Sequence, residues 1–240
     1  YLDCSFNQLS ELDLSENSNL THLYSDNNFL TEIDFSQNSQ LIWVECFSNQ
    51  ITSLDLSQNN NLQTLYCANN ELSEIDVSQN LNLLQLIVSN NNLTSLDVTQ
   101  NQNLQDLICN NNQIQSINIT QNNLLSSFVC DDNQLVSLDI SQNNALALFS
   151  CINNPLECIQ VADISYALQQ EYLLSENPAD CWYVNPGFNE FNQPTSCWQK
   201  DDDVNWELLC SINVGGCIDE LACNYNISAT DDDFSCTYPE

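Results

Sequence analysis

Apolar and polar positions alternate along residues 1–157 with a fixed period of 21. One apolar column is Leu20, Leu41, Leu62, Leu83, Leu104, Leu125 and Leu146. A second is Leu9, Leu30, Ile51, Leu72, Leu93, Ile114, Leu135 and Leu156, and a third is Leu12, Ile33, Leu54, Ile75, Leu96, Ile117 and Leu138. Two asparagine columns keep the same spacing. The first is Asn7, Asn28, Asn49, Asn70, Asn91, Asn112, Asn133 and Asn154, and the second runs from Asn17 to Asn143. No insertion or deletion interrupts them. Each unit therefore reads L-x-x-L-x-C-x-x-N-x-L-x-x-L-D-L-S-x-N-x-x. It predicts two extended segments with period-2 alternation, each closed by a turn at Asn. A single unit cannot bury its apolar side, whereas stacked units can. With strands about 4.8 Å apart, about seven coils make a rod of roughly 35 Å. The Asn side chains are expected to bond turn backbone in their own and neighbouring coils, since Asn tolerates the left-handed conformation.

The pattern resembles the leucine-rich repeat, and its short form with L-D-L-S in the second half is similar to repeats of bacterial cell-surface proteins of the Bacteroidota type. The resemblance covers about residues 1–157 and implies a right-handed parallel-β solenoid that serves as a binding scaffold. Because the sequence opens inside a unit, at Leu2, Cys4 and Asn7, further coils are expected to precede it in a parent protein.

The 13 cysteines form two groups. Cys4, Cys46, Cys67, Cys109, Cys130 and Cys151 share one column, with Ser25 and Val88 at the other places. Replacement by Ser and Val marks a site for a small buried group, so these are expected to be reduced core thiols. A metal ladder finds no partners in the neighbouring Leu and Asn columns. The remaining seven lie after the repeat ends, at a density that suits an oxidising compartment. The run from Asn154 to Val161 resembles the start of the C-terminal cap of such repeats. That resemblance implies a Cys158–Cys181 disulfide, and a short helix over Ala162–Leu174 is expected to cover the last coil; Cys197–Cys210 is a further candidate pair. Residues 216–240 are similar to a small secreted module, G-C-x-D-x-x-A-C-N-Y followed by Cys236. The pairing of Cys217, Cys223 and Cys236 is open, and the odd count implies a chain continuing beyond Glu240. The expected organisation is a solenoid over 1–157, a cap over 158–200, an acidic linker over 201–214 and a Cys-rich module over 215–240.

Charge narrows the function. The chain carries 33 acidic residues against one basic residue, Lys200, for a formal net charge of −32. Such a surface repels phosphate backbones and anionic lipids, which excludes nucleic acid and membrane surfaces as partners. No apolar run approaches the ~18 residues of a membrane span. Hydrophobic residues at 42% still suffice for a core. The single histidine, His22, has no nucleophile implied by spacing, and no nucleotide-binding, zincin or nucleophile-elbow motif occurs. An enzyme acting on polysaccharide is the remotest reading.

Binding surface is better supplied. In L-x-C the middle residue points outward. That column reads Asp3, Tyr24, Glu45, Tyr66, Ile87, Ile108, Val129 and Ser150, with Trp43 and His22 on one side and Phe47 and Asp26 on the other. A contiguous apolar strip of this kind marks an interaction site, although strand propensity alone also favours aromatic and branched residues. The candidate ligand residues are Tyr24, Trp43, Glu45, Phe47, Tyr66, Ile87 and Ile108. The second segment presents instead a uniform row, Asp13, Asp34, Asp55, Asp76, Asp97, Asn118 and Asp139. Like charges about 5 Å apart repel by roughly 0.8 kcal/mol in water. Solvated carboxylates bonded to nearby backbone are one solution, and Ca²⁺ shared by Asp34, Asp55, Asp76 and Asp97 is the other. The acidic runs Asp201–Asp203 and Asp231–Asp233 lack a spaced calcium loop. The N-x-S/T sequences at Asn19, Asn92, Asn118 and Asn226 carry little weight in an Asn-rich chain. The expectation is a non-enzymatic extracellular or cell-surface protein that binds a protein or polysaccharide through the strand face. The alternative is a structural spacer or self-assembling surface fibre.

Overall fold

The computed structural model describes residues 1–162, 197–200, 204–207, 215–216 and 231–232. It is a parallel-β leucine-rich-repeat solenoid of about 8 turns. One short strand comes from each coil: β1 (Leu2–Asp3), β2 (His22–Tyr24), β3 (Trp43–Glu45), β4 (Thr64–Tyr66), β5 (Gln85–Ile87), β6 (Asp106–Ile108), β7 (Ser127–Val129) and β9 (Leu148–Ser150). They pair side by side in parallel, in register from Leu23 through Val44, Leu65, Leu86 and Leu107 to Phe128 and Phe149. That register is what an uninterrupted 21-residue unit must give. Each coil returns the same side chain to the same place, one strand spacing along.

The core lies between the strand and the second segment. Leu23, Leu41, Leu62, Leu65, Leu72 and Leu86 are fully buried, as are Phe35, Phe128 and Phe149. Phe128 and Phe149 stack at 6.0 Å. Each such side chain contributes about 1.5–3 kcal/mol on leaving water. Cys4, Cys46, Cys67, Cys109 and Cys130 of this column are free thiols, and Cys46, Cys67, Cys109, Cys130 and Cys151 are buried among the leucines. Burial pushes the Cys67 and Cys109 thiols up to about 12. They behave as small apolar groups and not as nucleophiles.

The second segment is extended but forms no continuous ladder. Its turn amides go elsewhere: the N–H of Ser36, Ser57, Ser78 and Thr99 each donates to the carboxylate two residues earlier. Only late in the solenoid does a second sheet form, from β8 (Leu138–Asp139), β10 (Cys158–Gln160) and β12 (Asn205–Glu207). Ile159 pairs with Leu138 and Trp206 with Ile159, so the register of the third apolar column continues past residue 157. A strand from farther along, β11 (Cys197–Gln199), extends the first sheet by pairing with β9. Thus β12 lies within the stretch expected as linker, and β11 within the cap. The chain divides into compact units at Tyr1–Leu208 and Leu209–Glu240; the second contains a parallel pair of β13 (Gly215–Gly216) and β14 (Asp231–Asp232). No helix occurs among the described residues. The expected cap helix lies outside them apart from Ala162. Cys158 is disulfide-bonded. Cys181, Cys210, Cys217, Cys223 and Cys236 lie outside the described residues, and so do the expected pairings.

The two Asn columns differ in what they hold. In the first, Asn70 Nδ2 donates to the carbonyls of Cys46, Cys67 and Ala68 at 3.0, 3.1 and 3.3 Å. Its Oδ1 accepts the N–H of Ile51 at 3.0 Å. The left-handed residue is the one before: Phe6, Asn27, Ser48, Asn69, Asn90, Asn111, Asp132 and Asn153 all have φ between 52 and 57°. In the second column, Asn80 Nδ2 donates to Leu56 and Asn59 carbonyls at 3.1 and 2.9 Å. The buried Oδ1 atoms of Asn38, Asn59, Asn80, Asn101, Asn122 and Asn143 have no partner.

Candidate functional site

Strand register brings the outward candidates together. Asp3 pairs with Tyr24, Tyr24 with Glu45, Glu45 with Tyr66, Tyr66 with Ile87, and Ile87 with Ile108. All of the candidates, Tyr24, Trp43, Glu45, Phe47, Tyr66, Ile87 and Ile108, are half-buried. Their bodies rest on the sheet while one surface stays open. The strip is shorter than the column that predicts it, because Val129 and Ser150, outward by position, are buried at 1% and 2% exposure.

Trp43 and Tyr66 meet edge to face, with ring centroids 5.6 Å apart and an interplanar angle of 66°. This arrangement sets the positive edge of one ring against the negative face of the other. The Trp43 indole N–H donates to Glu45 Oε1 at 2.7 Å. The Tyr66 hydroxyl donates to Gln85 Oε1 at 2.8 Å, and Gln85 Nε2 donates to Asp106 Oδ2 at 2.7 Å. Ser126 Oγ donates to the other oxygen of Asp106 at 3.4 Å. At the first coils Tyr1 packs on Tyr24 at 5.3 Å and on His22 at 6.4 Å. His22 Nδ1 lies 3.0 Å from Thr21 Oγ1.

The face is electrostatically one-sided. Burial lifts the Glu45 carboxyl above its ordinary range; the Trp43 N–H opposes this, and repulsion from Asp26 and Asp3 adds to it. Burial likewise raises the Tyr66 phenol, helped by the negative charge of Asp106 and Glu45. Asp26 is 3% exposed and accepts from Ser5 Oγ and Asn27 Nδ2, both at 2.8 Å.

The Asp row is built otherwise. Asp34, Asp55, Asp76 and Asp97 each accept, at Oδ1, the amide two residues on, at 2.8, 3.0, 2.8 and 2.9 Å. Asn118 accepts the Thr120 amide in the same way at 3.1 Å. These are Asx turns, which an amide or a carboxylate serves equally well. Among the described residues no group of three or more His, Cys, Asp or Glu side chains could hold a metal ion. The four carboxylates expected as calcium ligands stand one per coil, each bound to its own turn. Grooves do open on this side. One of about 960 Å³ is lined by residues including Leu9, Glu11, Leu12, Glu32 and Asp34, and one of about 340 Å³ by residues including Ser53, Glu74, Asp76 and Asp97.

Sequence reasoning found the aromatic strip because period-2 alternation fixes which side chains point out. It missed Gln85 and Asp106, which tie Tyr66 into the next two coils. Their only signal was a polar pair at the position of Trp43 and Thr64. It also placed the left-handed turn one residue late, although Asn or Asp fills six of the eight left-handed positions.

Comparison with solved structures agrees on the fold. The functional domain of InlJ from Listeria monocytogenes, which includes a cysteine ladder, matches with 34% identity and a TM-score of 0.53, over 67% of this chain and 43% of its own. The leucine-rich-repeat protein LIC12759 of Leptospira interrogans matches at 25% identity and a TM-score of 0.56, over 66% of this chain and 50% of its own. An internalin, InlF of Listeria monocytogenes, matches at 20% identity and 0.56, over 61% and 46%, which bears on fold alone. The chain thus spans half or less of the length of these three. In this chain Cys46 and Cys67, and then Cys109, Cys130 and Cys151, succeed one another coil by coil. No protein-family model matches the chain. No curated protein matches it.

Proposed function

We propose that this solenoid is an extracellular, non-enzymatic recognition scaffold that binds a protein or glycan through its strand face. Solenoids of this kind commonly present extended binding surfaces, and folds like those of its structural neighbours typically serve protein binding and adhesion. The observation that carries the reading is the Trp43–Tyr66 pair with its half-exposed neighbours, Tyr24, Glu45 and Phe47. Nothing in the repeat requires these residues: the equivalent places in other coils hold Gln85, Asp106, Ala68 and Ser89 without loss of register. Aromatic anchors on a rigid surface are the residue types that dominate contact energy in interfaces. The chemistry is non-covalent: shape, ring contact and hydrogen bonding on a preformed surface.

The test is capture on arrays of surface proteins and glycans by the native chain and by a Trp43→Ala/Tyr66→Ala double variant. Saturable binding that the double variant loses by 10-fold or more, with an unchanged circular dichroism spectrum, is expected. Capture that survives both truncations would place recognition elsewhere.

A further inference from the structure

We infer that the partner received at this face is a basic protein segment, whose arginine or lysine side chain docks on Trp43 and Tyr66 against the Glu45 carboxylate. The inference rests on the strand-face reading above and goes further by naming the chemistry of the occupant.

The Trp43 N–H is taken by Glu45, the Tyr66 hydroxyl by Gln85, Gln85 Nε2 by Asp106, and Ser126 Oγ by the same carboxylate. The Asn27 amide and the Ser5 hydroxyl point at Asp26. These donors thus turn inward onto acceptors of the patch itself. Beside Trp43, Glu45 and Tyr66 they leave a ligand mainly carboxylate lone pairs and ring faces. A neutral sugar brings two acceptor lone pairs with every hydroxyl donor, and the patch around Glu45 offers those lone pairs few donors. A guanidinium offers five donors and no acceptor, and an ammonium offers three. Both are drawn to the negative face of an aromatic ring, and the guanidinium can also stack on it.

Charge complementarity points the same way. Asp26 and Asp3 repel the Glu45 carboxylate, and Asp106 adds negative charge on the far side of Tyr66. The chain has one lysine and no arginine against 33 acidic residues, so it cannot neutralise this face from its own sequence. A partner that brings the cation relieves that repulsion on binding. A net charge of −32 would also speed its arrival. The carboxylates alone would attract any cation; the aromatic pair beside Glu45 makes this a place where one side chain can seat.

The experiment uses the full chain and a fluorescent nine-residue peptide of alternating arginine and serine. A counterpart carries citrulline, a neutral isostere, at each arginine. Fluorescence polarisation should show saturable binding of the arginine peptide and none of the citrulline one. Glu45→Gln should weaken binding about 10-fold, in line with loss of a charge-assisted contact. Asp76→Asn, which removes one charge from the opposite side, should change it by less than about 2-fold. Equal effects of these two variants would mean diffuse attraction to a polyanion and would overturn the inference. So would equal binding of the citrulline peptide. Capture of a neutral glycan or protein that needs Trp43 but ignores Glu45→Gln would overturn it while leaving the strand-face reading intact. Capture indifferent to Trp43 and Tyr66 as well would remove both.

Discussion

The sheet side and the far side of each coil carry asparagine columns that look the same in sequence. On the sheet side, Asn70 spends both ends of its amide, with three carbonyls on Nδ2 and the Ile51 N–H on Oδ1. On the far side, Asn80 spends only the nitrogen, and its buried oxygen is left without a partner. The same residue at the same period thus does different work in the two places. The sheet-side column is a full hydrogen-bond bridge between coils. The far-side column fills a buried turn at a standing electrostatic cost, because an unpaired buried carbonyl gives up its hydration for nothing. A repeated residue identifies a repeated environment; it does not say that the environment is satisfied.

The largest expected effect separates the columns directly. Asn70→Ala removes the donor to three carbonyls and leaves the Ile51 N–H buried without its acceptor. Unfolding by urea should show a loss of about 3 kcal/mol, since orphaned buried groups cost more than the net value of the bonds they made. Asn80→Ala removes two donations but also abolishes the unpaired oxygen. Its loss should be about 1 kcal/mol. If Asn80→Ala costs as much as Asn70→Ala, the far-side oxygens are satisfied in solution and the contrast fails.

A smaller effect is expected beside the sheet-side column. The left-handed residue preceding it is Asn or Asp in six coils but Phe6 and Ser48 in the other two. A residue without a short amide or carboxylate is held there at a cost. Ser48→Asn should therefore raise the stability, by up to about 1 kcal/mol in the same urea titration. A loss would show that the Ser48 side chain is needed for its own contacts.

The contrast also explains what the sequence disclosed and what it withheld. The first sheet, its register and the buried leucine columns are legible because repetition multiplies a weak local signal: Leu23, Val44 and Leu65 must stack if the unit never changes length. The aromatic strip is legible for the same reason, since Tyr24, Glu45 and Tyr66 follow from strand alternation. The later strands are not. Trp198 and Trp206 stand eight residues apart, where Phe149 and Ile159 stand ten apart, and the columns no longer align. The inward turn of the donors at the site is also beyond sequence reasoning. Whether Gln85 reaches Asp106, Tyr66 or water depends on rotamers that alternation does not fix.

The smallest effect concerns the Asp row, which lies with Asn80 on the far side, and here two forces oppose each other. Hydrogen bonds from the Ser78 amide and hydroxyl hold the Asp76 carboxyl below its ordinary range, while slight desolvation and then repulsion from Asp97 and Asp55 push it back up; the bonds win. A carboxyl whose value is lower in the fold than in the unfolded chain stabilises the fold where it is ionised, above about pH 4. That stabilisation drains away as the pH falls through the lowered folded value. Asp76→Asn keeps the turn, as Asn118 does in the same row, but cannot titrate. The melting temperature of the native chain minus that of the variant should therefore decline as the pH falls below about 4, by a few degrees at most. A difference that grows as the pH falls would mean that repulsion along the row outweighs the turn bonds. The far side would then be strained by its charges as well as by its unpaired amide oxygens.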